Sequence, residues 1–236
     1  MANRTADFPA GFYARLCGFL YLLIILTAMF SESMVRSSLI ASGDAAATAG
    51  NIMESQTLFR LGLTADMVNC LLDVAVAVIL FFLLRPVHDM LALLAAVLRI
   101  VADTILGLVG LLHLSAIVIL TSDQLTAFSP EQINASAYLA LKLHGLGYNI
   151  SLIFFGLGCC VLGSLIYRSG YLPKVIGGML FVAGMSYLFN SFTTIIAPPL
   201  SKTLFPWPLL PGFFSELALC LWLMIKGIDL TKWPHR

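Results

Sequence analysis

Six mainly apolar stretches, at about 12–30, 61–84, 90–120, 137–167, 175–197 and 213–228, dominate this chain. Each has roughly the 20 residues an α-helix needs to cross the hydrocarbon of a bilayer. Such a run leaves few alternatives, because a backbone in lipid must satisfy its own hydrogen bonds and only helices and closed barrels do so. The whole composition agrees: 60% of residues are hydrophobic and 11% charged, with a mean hydropathy of +0.96, against about 25% charged in soluble domains. The expected fold is an all-α, polytopic transmembrane bundle of about six spans with short outer helices. No polar block between the spans is long enough to fold alone, so one membrane domain is expected over residues 1–236. The net charge of +1 is spread along the chain, which argues against a nucleic-acid partner.

The boundaries carry local signals. Arg4 and Arg15 precede the apolar run Leu16 to Phe30, but no A-x-A cleavage pattern follows, so this segment is expected to be a retained first helix. Asp44, in Gly43-Asp44-Ala45-Ala46-Ala47-Thr48, suits the N-cap of a short outer helix. Ser129-Pro130-Glu131-Gln132 reads as N-cap, N1 proline and capping-box glutamine, so the fourth helix begins well before its apolar part. Pro198, Pro199, Pro206, Pro208 and Pro211 crowd the last outer loop beside Trp207, an interfacial anchor. With both termini inside, Arg4, Arg15, Arg85, Arg168, Lys174, Lys226, Lys232 and Arg236 flank the inner side and Arg36, Arg60, Lys142 and Lys202 the outer. The excess predicts cytoplasmic termini. Cys17, Cys70, Cys159, Cys160 and Cys220 all fall in apolar segments and read as packing residues. No internal repeat stands out.

Ionisable groups inside a span are costly unless paired or facing a cavity. Asp66, Asn69 and Asp73 lie at i, i+3 and i+7, on one face of the second helix. Arg99 and Asp103 lie at i and i+4 on the third, with His113 about 40° around from Arg99. The turn at Pro86 to His88 folds these helices into an antiparallel hairpin in which residues whose numbers sum to about 174 share a depth. Asp73 then faces Arg99 and Asp103 in a buried ion-pair network, and His113 approaches Arg60. Lys142, His144 and Asn149 enter from the fourth helix, Tyr187, Asn190 and Thr194 from the fifth, and Glu216 from the sixth. Asp66, Asn69, His113, His144, Asn149, Tyr187, Asn190 and Glu216 form the candidate ligand site, expected in the outer half beneath the short helix.

Several strings resemble a known family: Gly43-Asp44-Ala45-Ala46-Ala47-Thr48-Ala49 with Asn51-Ile52, Leu58-Phe59-Arg60-Leu61-Gly62 and Leu84-Arg85-Pro86-Val87. Phe154-Phe155-Gly156-Leu157, Leu162-Gly163 and Tyr167-Arg168-Ser169-Gly170-Tyr171-Leu172-Pro173 continue it. Together they resemble a bacterial membrane family catalogued as domain of unknown function 4386, over about residues 12 to 225. The resemblance implies a six-helix protein of a bacterial inner membrane and assigns no activity. It also implies a histidine after Phe-Gly-Leu, where this chain has Gly158.

The serine-nucleophile, P-loop and dinucleotide motifs are missing, and no cofactor is named by the sequence. One reading is a bundle that binds or carries a small or lipid-like molecule in an outward-facing pocket, as carrier, sensor or accessory subunit. A second is an intramembrane hydrolase or lipid-modifying enzyme with His113, His144, Asp66 and Glu216 as metal ligands or acid and base. H-x-x-H and H-E-x-x-H spacings are absent, so no metal is assigned. A third makes the polar stripes packing alone.

Overall fold

A computed structural model describes residues 9–234. The described residues are all-α, with six helices long and apolar enough to cross a membrane: Ala10–Leu39, Gln56–Leu84, Asp89–Leu120, Pro130–Ser169, Lys174–Ile196 and Trp207–Ile225. The first differs most from expectation. Helix α1 (Ala10–Met29) passes directly into a π-helical stretch, Phe30–Arg36, and a last turn α2 (Ser37–Leu39). From Phe19 to Ser42 there is neither glycine nor proline to stop it, so the polar run Ser31-Glu32-Ser33 stays helical.

The remaining boundaries follow their caps. Asp44 accepts from Ala47 N at 2.9 Å and starts α3 (Ala45–Glu54). Helix α4 (Gln56–Leu84) turns at Pro86 into α5 (Asp89–Leu120), whose N-cap His88 accepts from Leu91 N through Nδ1. Helix α6 (Pro130–Ser169) opens with a full capping box: Ser129 Oγ accepts from Gln132 N, and Gln132 Oε1 accepts from Ser129 N. Gly170, at φ +76°, ends it. Helices α7 (Lys174–Ile196), α8 (Pro198–Leu204) and α9 (Leu210–Ile225) complete the chain. The last helix is shifted three residues toward the N-terminus of the expected 213–228, since a 3-10 turn at Trp207–Leu209 leads into it and Gly227 adopts φ +70° just past its end.

The six spans form a ring. Helix α1 packs on α4, α4 on α5, α5 on α6, α6 on α7, α7 on α9, and α9 closes onto α1. Successive spans run in opposite directions, so every neighbouring pair in the ring is antiparallel. One end of the bundle gathers the turn at 85–88, the turn at 170–173 and the C-terminal tail: Asp229 N donates to Tyr171 O, while Tyr171 OH and Trp233 Nε1 both donate to Leu83 O. We call this the terminal end. The far end carries α3 and α8, with α3 latched by Gly43 N donating to Tyr138 OH at 2.6 Å and Asn51 Nδ2 to Leu39 O.

Large apolar side chains such as Leu71, Leu108, Leu111 and Val182 point outward, as lipid contact requires. Lipid tails are as apolar as leucine, so helices in a membrane associate through close packing and interhelical hydrogen bonds. The α6–α7 seam shows this. Gly156 and Gly163, seven apart, meet Gly184 and Gly177, also seven apart, backbone against backbone. A Cβ on Gly177 would stand 2.6 Å from Tyr167 N.

Candidate functional site

Two polar clusters occupy the bundle interior. The central one starts from Asp73 on α4 and Arg99 on α5, both buried. Arg99 Nε donates to Asp73 Oδ1 and Oδ2 at 2.8 and 2.7 Å, and Nη2 donates to Oδ1 at 2.5 Å. The guanidinium lies between two aromatic rings, 4.8 Å from that of Tyr21 on α1 and 4.9 Å from that of Phe155 on α6, where the ring quadrupoles attract a cation. Tyr21 OH donates onward to Glu216 Oε2 at 3.3 Å, and Tyr187 OH donates to Glu216 Oε1 at 2.6 Å. Each of the six spans supplies one member: Tyr21, Asp73, Arg99, Phe155, Tyr187 and Glu216.

Asp103 stands beside Asp73 and within electrostatic reach of Arg99, as the hairpin register predicts. No ion pair joins it to Arg99 among the described residues, and its Oδ2 is buried with no hydrogen-bond partner. Asp73 takes the Nε/Nη2 edge of Arg99. Tyr21 and Phe155 escaped sequence reasoning because an aromatic residue in an apolar span carries no signal of its own.

The second cluster lies toward the far end. Asp66 on α4 accepts from Ser31 Oγ at 2.5 Å and from Arg36 Nη1 and Nη2 at 2.7 and 3.3 Å, while Arg36 Nε donates to Glu32 Oε2 at 2.7 Å. The π-helix makes this arrangement. In an α-helix, at about 100° per residue, Ser31 and Arg36 would point roughly 140° apart; hydrogen bonding from i to i+5 brings residues five apart back toward one face. The expectation that Arg36 merely flanks a span is thus corrected.

His113 on α5 is fully buried, with its ring stacked on that of Phe59 at 4.0 Å and its Nε2 3.2 Å from Phe59 O. It packs on residue 59 rather than on Arg60, which is exposed. The His144 ring of α6 meets it edge-on at 5.5 Å. A carbonyl oxygen only accepts, so Nε2 of a neutral His113 holds the proton and Nδ1 is a bare lone pair. Both His113 Nδ1 and His144 Nε2 are buried with no partner among the described residues. Tyr148 on α6, one residue before Asn149 and not singled out from the sequence, lies within electrostatic reach of Asp66, Arg36 and Glu216.

The eight candidate ligand residues therefore do not converge on one point. Asp66, His113 and His144 share the far cluster, whereas Tyr187 and Glu216 belong to the central one. Asn69 is spent on α1, donating to Ile24 O at 2.9 Å and Thr27 Oγ1 at 3.3 Å. Asn149 and Asn190 pair with each other, Asn190 Nδ2 to Asn149 Oδ1 at 2.9 Å, and tie α6 to α7. With Glu216 elsewhere, the ligand set of the hydrolase reading is divided, and no three His, Cys, Asp or Glu side chains among the described residues are grouped to hold a metal.

Open space is also distributed differently from expectation. A cleft of about 350 Å³ between α4, α5 and α6, lined by Ala77, Ala92, Ala95, Gly158 and Leu162 and ended by Arg99, lies in the terminal half. It is narrow, with only about 20 Å³ wide enough for the centre of a water molecule. At the far end a shallower groove of about 710 Å³ runs between Ala46, Ala49 and Gly50 of α3 and Leu120, Pro130 and Ile133.

The fold and both clusters can now be set beside known proteins. No solved structure matches the chain. A protein of Archaeoglobus fulgidus described as uncharacterized is 32% identical over 162 residues, which cover 69% of this chain and 81% of that one. Sequence similarity thus reaches an archaeon, outside the bacterial membranes that the resemblance implied. The chain belongs to the family described as Domain of unknown function (DUF4386), whose model matches residues 16–227.

Proposed function

We propose that this multi-pass membrane protein, acting as one membrane domain, binds a small molecule or a small polar headgroup in the far half of its bundle. The observation that carries the reading is the imidazole pair. Two polar side chains, 0% and 4% exposed, offer ring nitrogens with no protein partner, and a buried unsatisfied polar group costs about 1–3 kcal/mol. Packing alone does not repay that cost. A bound donor does. Helix α3, latched to Tyr138, covers the approach from the far side.

The orientation belongs to the same proposal. Arg36 is an interior partner of Asp66 rather than a flank, so the count of Lys and Arg becomes eight at the terminal end against three at the far end, reading the flanks from the sequence. This supports a terminal end in the cytoplasm and a far-half site opening outward from a bacterial inner membrane.

The test is native mass spectrometry of the detergent-purified protein, wild type against His113→Phe and His144→Phe. A co-purifying adduct that both substitutions remove is the expected result. Two variants more stable than wild type with the adduct spectrum unchanged would assign the imidazoles to packing and sink the reading.

A further inference from the structure

The histidine pair has no part in the cleft between α4, α5 and α6, and we infer that this cleft is a separate binding site, which takes a neutral, unbranched amphiphile whose terminal hydroxyl or carbonyl oxygen accepts a hydrogen bond from Arg99. A guanidinium carries five N–H bonds. Asp73 receives the one on Nε and one from Nη2. Nη1 makes no hydrogen bond among the described residues, and unlike Asp103 Oδ2 it is not sealed in. The open space that Arg99 lines is this cleft, although the residue as a whole is only 5% exposed. A free donor at the end of an otherwise apolar cavity selects an acceptor.

Charge makes that acceptor neutral. Asp73 already balances the guanidinium, and Asp103 beside Asp73 and Glu216 on α9 both lie within electrostatic reach of Arg99. An anion would meet three carboxyl groups around one cation, whereas a hydroxyl or carbonyl oxygen has no charge to match. Water is a poor occupant, because it needs about two to four polar partners and the only other polar side chain in the lining is the weakly bonding Cys159 thiol. Shape selects the rest of the molecule. The cleft follows α4 from Ala77 to Leu84 and α5 from Ala92 to Arg99, about 10 Å along each helix at 1.5 Å per residue. A space of about 350 Å³ in which only about 20 Å³ admits the centre of a water molecule is a slot rather than a chamber. An unbranched chain suits a slot, and a ring or a branched tail does not. The cleft lies within the length of three spans, so its occupant comes from the bilayer.

The experiment uses the full chain in lipid nanodiscs, so that no detergent chain competes. The probe is 1-octanol bearing a photoactivatable diazirine, with adducts mapped by peptide mass spectrometry and competed by 1-octanol, octane, octanoate or cyclooctanol at equal mole fraction in the bilayer. Saturable labelling is expected on α5 around Ala95 and on α6 around Gly158. 1-Octanol should displace it, with octane and octanoate weaker by roughly tenfold or more, the worth of one hydrogen bond to a charged group. Ala95→Leu narrows the slot while leaving Arg99 its ion pair, and should abolish labelling at both positions. Octane competing as well as 1-octanol overturns the inference, because Arg99 then reads nothing on the ligand. Octanoate competing better than 1-octanol makes the cleft an anion site and overturns it too, as does labelling that is absent from these positions in wild type or undiminished in Ala95→Leu. If Ala95→Leu fails to fold, cyclooctanol tests the slot in wild type: it must compete clearly less well than 1-octanol, and equal competition overturns the inference.

Discussion

Replacing Asp73 by Asn leaves Arg99 charged and buried between two aromatic rings, with its three hydrogen bonds to a carboxylate exchanged for contacts with a neutral amide. Breaking one partner of a buried ion pair typically costs about 3–5 kcal/mol. Arg99→Gln should fall at the upper end, because it also removes cation–π contacts with Tyr21 and Phe155, worth about 0.5–2 kcal/mol each. If the two residues were independent, the double variant would lose about 6–10 kcal/mol. Because they satisfy each other, the double variant carries no stranded charge, and its two amides can hydrogen-bond; the expected loss is again about 3–5 kcal/mol. Unfolding in detergent, followed by tryptophan fluorescence, should place both single variants and the double variant at similar melting temperatures, roughly 10 °C below wild type, taking about 2–4 °C per kcal/mol for a chain of this size. A double variant that loses the sum of the singles would show that the pair does not act as a unit.

Other consequences are simpler to test. Gly177→Ala drives a Cβ into the backbone of Tyr167 and should cost about 1–3 kcal/mol by overpacking, whereas Gly178→Ala, with nothing within 4 Å of its Cβ, should leave the melting temperature unchanged; equal effects would refute the glycine seam. Tyr187→Phe strands one oxygen of Glu216 and should cost about 2 kcal/mol, more than Tyr21→Phe, whose bond is longer; the reverse ranking in melting temperature would place Glu216 elsewhere. At the terminal end, the Thr231 hydroxyl and then Lys232 hold the exposed Asp229 carboxyl down at about 2. A depressed carboxylate stabilises its turn above the ordinary value near 3.9 and loses that contribution as pH falls through the folded value. The protection of the Thr231 amide relative to its intrinsic exchange rate should therefore persist at pH 4 and fall only toward pH 2; a loss of protection beginning above pH 4 would contradict the contact.

Hydropathy alone marked the six spans, and the capping residues Asp44 and Ser129 marked where two helices begin, because those signals are local. The Asp73–Arg99 contact was also within reach, since a short turn at Pro86 fixes how two consecutive helices align. The arrangement of the ring was not. A helical wheel shows which face of α4 carries Asn69, but not that α1 lies against that face, and so Asn69 read as a ligand residue instead of a tie to Ile24 O. Arg36 and Ser31 were hidden for a different reason. Their polar context reads as a loop, and only a change of helical pitch turns both toward Asp66. Glu216 read as a ligand residue grouped with the histidines, yet Tyr21 and Tyr187 hold it in the central cluster.

The closure of the ring by α9 against α1 has a consequence for biosynthesis. Helices α4 to α7 meet their neighbours in the order in which a ribosome delivers them to the membrane. Helix α1 is made first, yet one of its two neighbours is made last, so its flank bearing Gly18 and Tyr21 faces lipid until α9 is inserted. Over that interval the hydroxyls of Tyr21 and Tyr187 lack Glu216, and polar groups left unsatisfied in hydrocarbon cost several kcal/mol each. A nascent chain interrupted before Leu210 would be a five-span sheet of helices with an open seam, the kind of surface that membrane chaperones hold and membrane proteases remove.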